Sequence, residues 1–491
     1  MSNIKALTSE KLNAKLEAFP YQAEAFNALK DMEYSAILHE QGLGKTKIAI
    51  DLALYWLKSK DIDSVMIITK KQLVDNWVNE LKNHTYIRPK VLGTNKGSNY
   101  SILNSTAKII VTNFETIVGE KERIEFFLKS RSVATIIDES TKLKNPTANL
   151  TKCFFDIAPL FRIRTIMSGT PVANRPYDMW AQVYFLDEGK SLGCDFNEFK
   201  KQTDLSNKLS YNVDAQENFE REVGSIYRKI SLFSVRETKK SSGICLPEKK
   251  YETRNAYFET NQKMLYEKII KDLRVEVYKD GERIVDDDSE ALKRLLRLNQ
   301  VASNPRLIDE SYQNESGKEV LLDNVISEIM DRKEKCIIWS CYIENIEQFS
   351  KKYKKYNPRK IHGSMTIEER NKSVEIFKND EECKLLFATP QAAKEGLTLT
   401  VANNAIFYDR SFNLDDYLQA QDRIHRISQI KECTIYNIVI EESIDKWIDA
   451  LLTAKQYAAF LAQGDMSKEE YAGKADYSYG ELIREILSEG E

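Results

Sequence analysis

The sequence predicts an α/β protein with two lobes, each a doubly wound parallel sheet, and a helical insert between them. Short apolar runs alternate with helical segments early in the chain, the alternation fades near residue 185, and it resumes after residue 310. Such alternation is typical of parallel sheets whose helices cover both faces. The expected organisation is a first lobe at 1–184, a helical insert at 185–310, a second lobe at 311–455 and a tail at 456–491.

The bulk composition describes a globular chain without a membrane span. The protein has 491 residues, of which 42% are hydrophobic and 30% charged. At roughly 150 residues per domain, this length suggests about three domains. No run of about 18 apolar residues is present, and the first residues lack the apolar stretch of a signal peptide. We therefore expect a cytoplasmic protein with no membrane partner.

The chain offers little for a zinc site or a disulfide framework. It has four histidines and seven cysteines without a C-x-x-C pair. The cysteines are Cys153, Cys194, Cys245, Cys336, Cys341, Cys383 and Cys433. The net charge of −3 argues against nucleic-acid binding through overall positive charge, although it is compatible with a local basic groove.

A glycine-rich turn separates an apolar run at 34–38 from a segment with helical periodicity at 47–54. It reads His39-Glu40-Gln41-Gly42-Leu43-Gly44-Lys45-Thr46. A strand, a glycine-rich turn and a helix form the context of a phosphate-binding loop, because glycines let backbone N–H groups face an anion and the helix start adds a positive dipole end. Lys45 would reach the terminal phosphates and Thr46 would bind Mg²⁺. Because His39 replaces the first glycine of the usual pattern, an ordinary surface turn is the alternative.

Polar residues follow predicted strands of the first lobe. Asp138-Glu139 ends the strand at 134–137, and Ser168-Gly169-Thr170-Pro171 ends the strand at 164–167. Parallel sheets bind ligands at the carboxyl ends of their strands. Behind a phosphate loop, Asp138 would hold Mg²⁺ through water, and Glu139 would orient and deprotonate the attacking water. A pair of solvated carboxylates on a turn is the alternative.

The second lobe has predicted strands but no phosphate loop. It carries instead the stretch Gln419-Ala420-Gln421-Asp422-Arg423-Ile424-His425-Arg426. If this stretch is helical, Gln419, Arg423 and Arg426 share one face, at spacings of four and three residues. Two arginines facing a cleft would stabilise charge on a transferred phosphoryl group. A salt-bridged surface helix is the alternative.

The order of these motifs resembles the Swi/Snf-type DNA translocases of the superfamily-two helicases, from about Phe19 to Lys455. Residues 40–46 are similar to that family's Asp-Glu-Met-Gly-Leu-Gly-Lys-Thr loop, which also lacks the first glycine. Residues 138–145 resemble its Asp-Glu-Ala-His box with a Lys-Asn ending, and residues 419–429 resemble its arginine box. Weaker matches include Ser316-Gly317-Lys318 before the second lobe and, at 440–455, a segment similar to the family's brace helix.

The resemblance implies two RecA-like lobes that bind ATP and Mg²⁺ between them and hydrolyse ATP. Lys45, Asp138, Glu139, Arg423 and Arg426 are the expected catalytic residues, with Thr46 and Asp138 on the metal. The expected nucleotide-binding residues are Gln22, which would read the adenine edge, Glu40, Gln41, Gly42, Leu43, Gly44, Lys45, Thr46 and Gln419.

The family also implies double-stranded DNA as a partner, bound through its backbone and therefore without sequence preference. The expected contacts are Lys70, Lys71, Thr112, Asn113, Lys144, Thr389 and Gly396. A core of this kind resembles bacterial or phage members of the family. We expect a monomer associated with the nucleoid, with any protein partner unidentified.

The chain departs from the family pattern at three places. Thr141 replaces the histidine that links the acidic box to the next motif, His362 replaces an aspartate, and Gly396 is the one glycine left of a glycine cluster. The change at Thr141 concerns the coupling of hydrolysis to movement more than hydrolysis itself, and the depleted glycine cluster concerns backbone approach to DNA. The change at His362 is minor.

Two rival functions are compatible with the same motifs. One is a strand-separating DNA helicase or an RNA-dependent ATPase, since both use two lobes of this kind. The other is a nucleotide-gated binding module that hydrolyses little, an interpretation that Thr141 and the depleted glycine cluster favour.

Overall fold

The computed structural model describes residues 12–243, 246–277, 288–393, 397–426 and 428–488. The chain divides into two compact units. Unit one comprises Met1–Asp204, Glu217–Cys245 and Ala458–Gly473, and unit two comprises Leu205–Gln216, Leu246–Tyr457 and Lys474–Glu491.

Strands and helices alternate through the first part of the chain. In order, the elements are α1 (Pro20–Leu29), β1 (Tyr34–Ile37), α2 (Lys45–Ser59), β2 (Ser64–Thr69), α3 (Val74–His84), β3 (Lys90–Val91), α4 (Lys96–Leu103), β4 (Ile109–Asn113), α5 (Phe114–Gly119), α6 (Lys121–Ser130), β5 (Val133–Asp138), α7 (Asn149–Ile157), β6 (Ile163–Met167), α8 (Asp178–Asp187), α9 (Phe196–Thr203), α10 (Val213–Ile230) and β7 (Ser234–Val235). The seven strands form one parallel sheet in the order β3-β4-β2-β5-β6-β1-β7.

The second part of the chain repeats the alternation. Its elements are β8 (Lys249–Ala256), α11 (Thr260–Val277), α12 (Asp288–Ser303), α13 (Gly317–Asp331), β9 (Cys336–Trp339), α14 (Ile343–Lys352), β10 (Arg359–Ile361), α15 (Ile367–Asn379), β11 (Leu385–Ala388), α16 (Pro390–Ala393), β12 (Asn404–Phe407), α17 (Leu414–Gln421), β13 (Cys433–Ile440), α18 (Ile444–Gln463), α19 (Lys468–Ala472) and α20 (Tyr479–Ser488). A six-stranded parallel sheet follows the order β10-β11-β9-β12-β13-β8.

The central strands of both sheets are apolar along their whole length because helices cover both of their faces. All six residues of β2 and all four residues of β9 are buried. In unit one, α2 and α3 contribute Trp56 and Trp77 to the core beneath the sheet. These observations confirm the predicted fold class, with two parallel α/β sheets.

The region read as a helical insert also contains the strands β7 and β8. β8 pairs with β13 over eight residues and is the edge strand of its sheet. Most of its side chains are exposed or half-buried, as at Lys250 and Glu252. An edge strand with polar side chains lacks the apolar run that marks a buried strand, which explains why periodicity does not reveal it.

The expected tail at 456–491 contains buried aromatic side chains. Tyr471 and Tyr479 are each 1% exposed, and the Tyr479 hydroxyl donates to the Ser206 carbonyl at 3.1 Å. A Cβ on Gly480 of α20 would lie 2.6 Å from Ser210 Oγ, so α20 lies close to residues 206–210. Among the described residues, no helix combines the length and apolar character needed to cross a membrane.

Among the described glycines of unit two, Gly317 at the start of α13 has the closest neighbouring atom. A Cβ there would lie 1.7 Å from the Tyr257 carbonyl oxygen, a backbone atom with little freedom to move. We expect Gly317→Ala to lower the free energy of unfolding by about 3 kcal/mol, the upper end of the range for overpacking. Denaturant unfolding would measure this. Gly363→Ala is the control, since a Cβ on Gly363 meets nothing within 4 Å; equal stability of the two variants would contradict the prediction.

Candidate active site

The phosphate loop connects β1 to α2 at the carboxyl edge of the first sheet. Gly42 and Gly44 have φ of 87° and 67°, the left-handed region that glycine adopts without a steric penalty. A Cβ on Gly44 would lie 2.3 Å from Gln22 Nε2. Gln22 in turn accepts a hydrogen bond from the Phe19 amide at 3.0 Å and donates to the Leu43 carbonyl at 3.4 Å. The expected adenine-reading glutamine therefore lies directly against the loop.

The Lys45 ammonium folds back onto its own loop. Nζ donates to the carbonyls of His39 at 2.9 Å and Glu40 at 3.3 Å. Burial lowers the pKa of Lys45 to about 8, with Glu139 and Asp138 acting in the opposite direction. The half-buried ammonium has two neutral carbonyls as hydrogen-bond partners, and a charged phosphate would bind it more strongly than they do.

His39, which replaces the first glycine, is packed inside the lobe. Its ring is 2% exposed and lies 6.3 Å, centroid to centroid, from that of Tyr21. Burial lowers the pKa of His39 to about 4, assisted by the positive charge of Lys45. The imidazole is therefore neutral at pH 7 and fills space under the loop.

The paired carboxylates end β5, two strands from β1 in the sheet. Asp138 Oδ2 accepts hydrogen bonds from Trp77 Nε1 at 2.8 Å and Thr69 Oγ1 at 3.2 Å. Burial and the neighbouring Glu139 raise the pKa of Asp138 to about 6, opposed mainly by the Trp77 hydrogen bond and by Lys45. Glu139 has a left-handed backbone, with φ of 57°, and its Oε2 lies 3.7 Å from Lys70 Nζ.

Trp77 is a site residue that sequence reasoning misses. Its sequence signal is its position on the first α-helix after β2. A tryptophan on the apolar face of a helix is otherwise interpreted as a core residue. Trp77→Phe should lower kcat for ATP hydrolysis about tenfold, because it keeps the ring but removes a charge-assisted hydrogen bond worth about 1.5–3 kcal/mol. Trp56→Phe is the matched control: Trp56 Nε1 donates to the Lys30 carbonyl at 3.1 Å, away from the carboxylates. Similar losses of activity in both variants would refute a specific role.

The segment after β6 touches the phosphate loop. A Cβ on Gly169 would lie 2.4 Å from Gln41 Cγ and 3.1 Å from Lys45 Nζ. Beside this segment, the buried Ser140 hydroxyl donates to Gln182 Oε1 at 2.7 Å, and Gln182 Nε2 donates to the Pro171 carbonyl at 2.7 Å. Ser140 and Gln182 thus connect the acidic strand end to the next motif, at the place where the family histidine is replaced by Thr141.

The arginine box lies in unit two but is not one continuous helix. α17 ends at Gln421, so Arg423 and Arg426 follow in a turn and the proposed common helical face with Gln419 does not form. Arg423 donates to the carbonyls of Gln419 at 3.1 Å and Leu397 at 3.2 Å.

Arg426 in the same turn donates to the Asp422 carbonyl at 3.0 Å and to Thr398 Oγ1 at 2.8 Å. Gln419 Nε2 donates to Asp415 Oδ1 at 2.7 Å. Side-chain hydrogen bonds to nearby groups, rather than helical spacing, hold the box in place.

The expected DNA contacts of the first lobe differ in accessibility. Lys71 is exposed and Lys144 is half-buried. Thr112 is fully buried, and its hydroxyl donates to the Leu92 carbonyl at 3.4 Å, so its side chain cannot reach a ligand in solution. Asn113 is 8% exposed and caps α5 by accepting from the Thr116 amide at 2.9 Å.

The remaining two expected contacts belong to the second lobe. Thr389 follows β11 and is 7% exposed, and its amide donates to the Ile361 carbonyl at 3.0 Å. Gly396 lies outside the described residues.

The residues of unit one fit a magnesium-bound nucleoside triphosphate. A Cβ on Gly44 would meet Gln22, and a Cβ on Gly169 would meet Gln41 and Lys45, so side chains at these two positions would crowd the phosphate loop. Lys45 supplies a half-buried cation, and the two described donors to Asp138 Oδ2, from Thr69 and Trp77, are neutral. A phosphate cradle and a pair of carboxylates at one sheet edge are typical of enzymes that cleave nucleoside triphosphates.

Comparison with protein families shows which members of that class this chain resembles. The model of the SNF2-related domain matches residues 21–307, and that of the helicase conserved C-terminal domain matches residues 318–428. The first match alone covers more than half of the chain, so the protein belongs to the SNF2-related family. The family predicted from the motifs is confirmed.

Similar proteins include both eukaryotic and bacterial sequences. The chain is 27% identical over 430 residues to the ISWI chromatin-remodeling complex ATPase CHR17 of Arabidopsis thaliana, covering 83% of this chain and 38% of that protein. It is 27% identical over 462 residues to the putative ATP-dependent helicase/translocase YwqA of Bacillus subtilis, covering 89% and 48%. The chain thus spans less than half the length of these curated relatives. Among solved structures, the chain is similar to the Sulfolobus solfataricus SWI2/SNF2 ATPase core in complex with dsDNA. The alignment covers 95% of this chain and 98% of that chain, with 23% sequence identity and a TM-score of 0.43.

Proposed function

We propose that this protein is an ATP-driven translocase on double-stranded DNA. The observation that carries the proposal is the shared sheet edge of the phosphate loop and the Asp138-Glu139 pair, in a chain that also contains the helicase C-terminal domain. Family membership supports ATP as the substrate. Binding to double-stranded DNA and movement along it are supported by the family and by the basic residues at the strand ends.

In the proposed reaction each residue has one task. Lys45 would exchange its two carbonyl partners for phosphate oxygens, and Glu139 would orient the attacking water and accept its proton. Asp138 and Thr46 would hold Mg²⁺, which when bound neutralises phosphate charge. Arg423 and Arg426 of unit two would stabilise the charge on the transferred phosphoryl group.

Lys70 offers a route by which DNA would affect hydrolysis. Its ammonium pairs with Glu139 in the structure, and a DNA phosphate would compete for it. Lys70→Gln should raise the ATPase rate without DNA by roughly 1.5- to 5-fold, since a partly exposed ion pair is worth about 0.2–1 kcal/mol, and should reduce stimulation by DNA. Lys71→Gln, at the exposed neighbour, should weaken DNA binding without changing the DNA-free rate. Identical ATPase rates of the two variants without DNA would contradict the proposed competition between Glu139 and a DNA phosphate for Lys70.

The function is tested by ATPase rates with duplex DNA, forked DNA, single-stranded DNA and RNA, at low salt. Stimulation by duplex DNA that falls steeply with added salt is expected, because backbone contacts release counterions. Displacement of a third strand from a triplex, without separation of the duplex, would demonstrate movement. Stimulation by single strands or RNA alone would favour the strand-separating or RNA-dependent alternative. Absence of hydrolysis under every condition would favour the nucleotide-gated binding module.

A further inference from the structure

The first half of the phosphate loop is attached along its length to residues 235–239, the support segment. Leu38 donates to the Val235 carbonyl and Glu40 to the Glu237 carbonyl, both at 2.8 Å. The Glu40 carboxylate accepts from the Lys239 amide at 2.8 Å and forms an ion pair with Lys239 Nζ at 3.2 Å. The loop that would bind phosphate therefore depends on the placement of this segment.

The Arg236 side chain of the support segment donates hydrogen bonds to two partners, the Leu38 carbonyl and the Asp465 carboxylate. Nη1 donates to the Leu38 carbonyl at 2.5 Å. Nε and Nη2 form a bidentate pair with Asp465, at 2.8 Å to Oδ1 and 2.5 Å to Oδ2. The two side chains are 9% and 13% exposed, so neither charge is well solvated without the other. One planar guanidinium thus connects the residue before the loop with the far end of the chain.

Asp465 is itself held firmly in unit one. Its amide donates to the Phe460 carbonyl at 2.9 Å, just after α18 ends. The preceding Gly464 has φ of 77° and lies on the ring of Tyr227, where a Cβ would come within 2.6 Å of a ring carbon. A Cβ on Gly224 would likewise meet Leu461 Cδ1 at 3.4 Å. The C-terminal segment Ala458–Gly473 is packed on α10 and presents Asp465 at a defined position.

We propose that Arg236 and Asp465 are positioning residues for nucleotide binding, by which the C-terminal segment Ala458–Gly473 holds the phosphate loop in its binding conformation. The proposal rests on ATP binding at this loop, as put forward above. Asp465 orients the guanidinium, and the guanidinium fixes the Leu38 carbonyl and so the direction in which the chain enters the loop. Its charge also reaches the loop, since Arg236 is among the causes that lower the pKa of His39 and Lys45, after burial.

Asp465→Asn tests the pair with little change in shape. We expect the Kd for the fluorescent probe N-methylanthraniloyl-ADP with Mg²⁺, measured without DNA, to rise about three- to tenfold, as expected for the loss of one charge-assisted bond. The kcat at saturating ATP should stay within about twofold, because the carboxylates of β5 are untouched. The control is Glu188→Gln. It removes an ion pair of the same unit, in which Glu188 Oε1 lies 2.9 Å from Arg164 Nη1, and it should leave the Kd for the probe unchanged.

A double-mutant cycle separates positioning from general destabilisation. Arg236→Gln should raise Kd at least as much as Asp465→Asn, and the double variant should show no further rise, because Asp465 acts through Arg236. Arg236→Lys should not restore Kd, since one ammonium cannot serve both partners in this geometry.

All variants are compared at a temperature where melting curves show them folded. Unchanged Kd in the folded Asp465→Asn variant, or additive effects in the cycle, would overturn the proposal. The measurement contains no DNA, so failure of duplex DNA to stimulate the wild type would count against the translocase function and not against this pair.

Discussion

Glu139→Gln should lower kcat for ATP hydrolysis by a factor of about 10²–10⁴, the usual contribution of a positioned general base. Glutamine keeps the size of the side chain and its capacity to accept a hydrogen bond, but it cannot take a proton from water. Glu139 directly follows β5 with a left-handed backbone, and its Oε2 lies 3.7 Å from Lys70 Nζ. The phosphate loop is untouched, so nucleotide affinity should stay near that of the wild type. Single-turnover hydrolysis and probe binding measure the two quantities separately.

Glu115→Gln is the matched control for this prediction. Glu115 lies just after β4 of the same sheet and pairs with Lys142 at 3.3 Å, much as Glu139 pairs with Lys70. Glu115 is not adjacent to Asp138 in the chain, so the Glu115→Gln variant should hydrolyse ATP with the kcat of the wild type. If the Glu139→Gln variant hydrolyses ATP as fast as the wild type, another group is the general base. A wild type without turnover would support the nucleotide-gated binding module instead.

The phosphate loop can be predicted from the sequence because its chemistry is local. Strand, glycines, lysine and helix lie within one short stretch, and the positive φ values of Gly42 and Gly44 are the conformations that such glycines suggest. The parallel sheets can be predicted for a similar reason, since buried strands such as β2 are continuous apolar runs.

Partners that are distant in the chain are beyond this kind of reasoning. Trp77 reaches Asp138 and Gln182 reaches Ser140 only because neighbouring strands end at one edge. Helical spacing likewise cannot reveal that α17 stops before Arg423, because the backbone there is held by local side-chain bonds. The assignment of Ala458–Gly473 to unit one depends on packing against α10, which leaves no periodic signal.

Lys318→Met should lower the free energy of unfolding by about 3–5 kcal/mol, the usual cost of breaking a buried ion pair. Lys318 is fully buried, and its ammonium lies 2.8 Å from Asp445 Oδ2 at the start of α18. The ring of Tyr408 lies 5.9 Å from the same ammonium. Methionine fills most of the volume, but Asp445, 4% exposed, would keep a buried charge without its cation. Chemical denaturation of the full chain measures the loss.

Two further variants distinguish charge burial from packing. Lys446→Met removes the neighbouring pair with Glu441, formed at 3.0 Å with partly exposed side chains, and should cost less than about 1 kcal/mol. The double variant Lys318→Met, Asp445→Leu removes both buried charges and should recover much of the stability lost in the single variant, because neither charge is left uncompensated. A double variant as unstable as the sum of its single changes would show that shape, and not charge, determines this position. Recovery would show that Lys318, a weak sequence marker of the family, ties the start of α13 to α18 through charge.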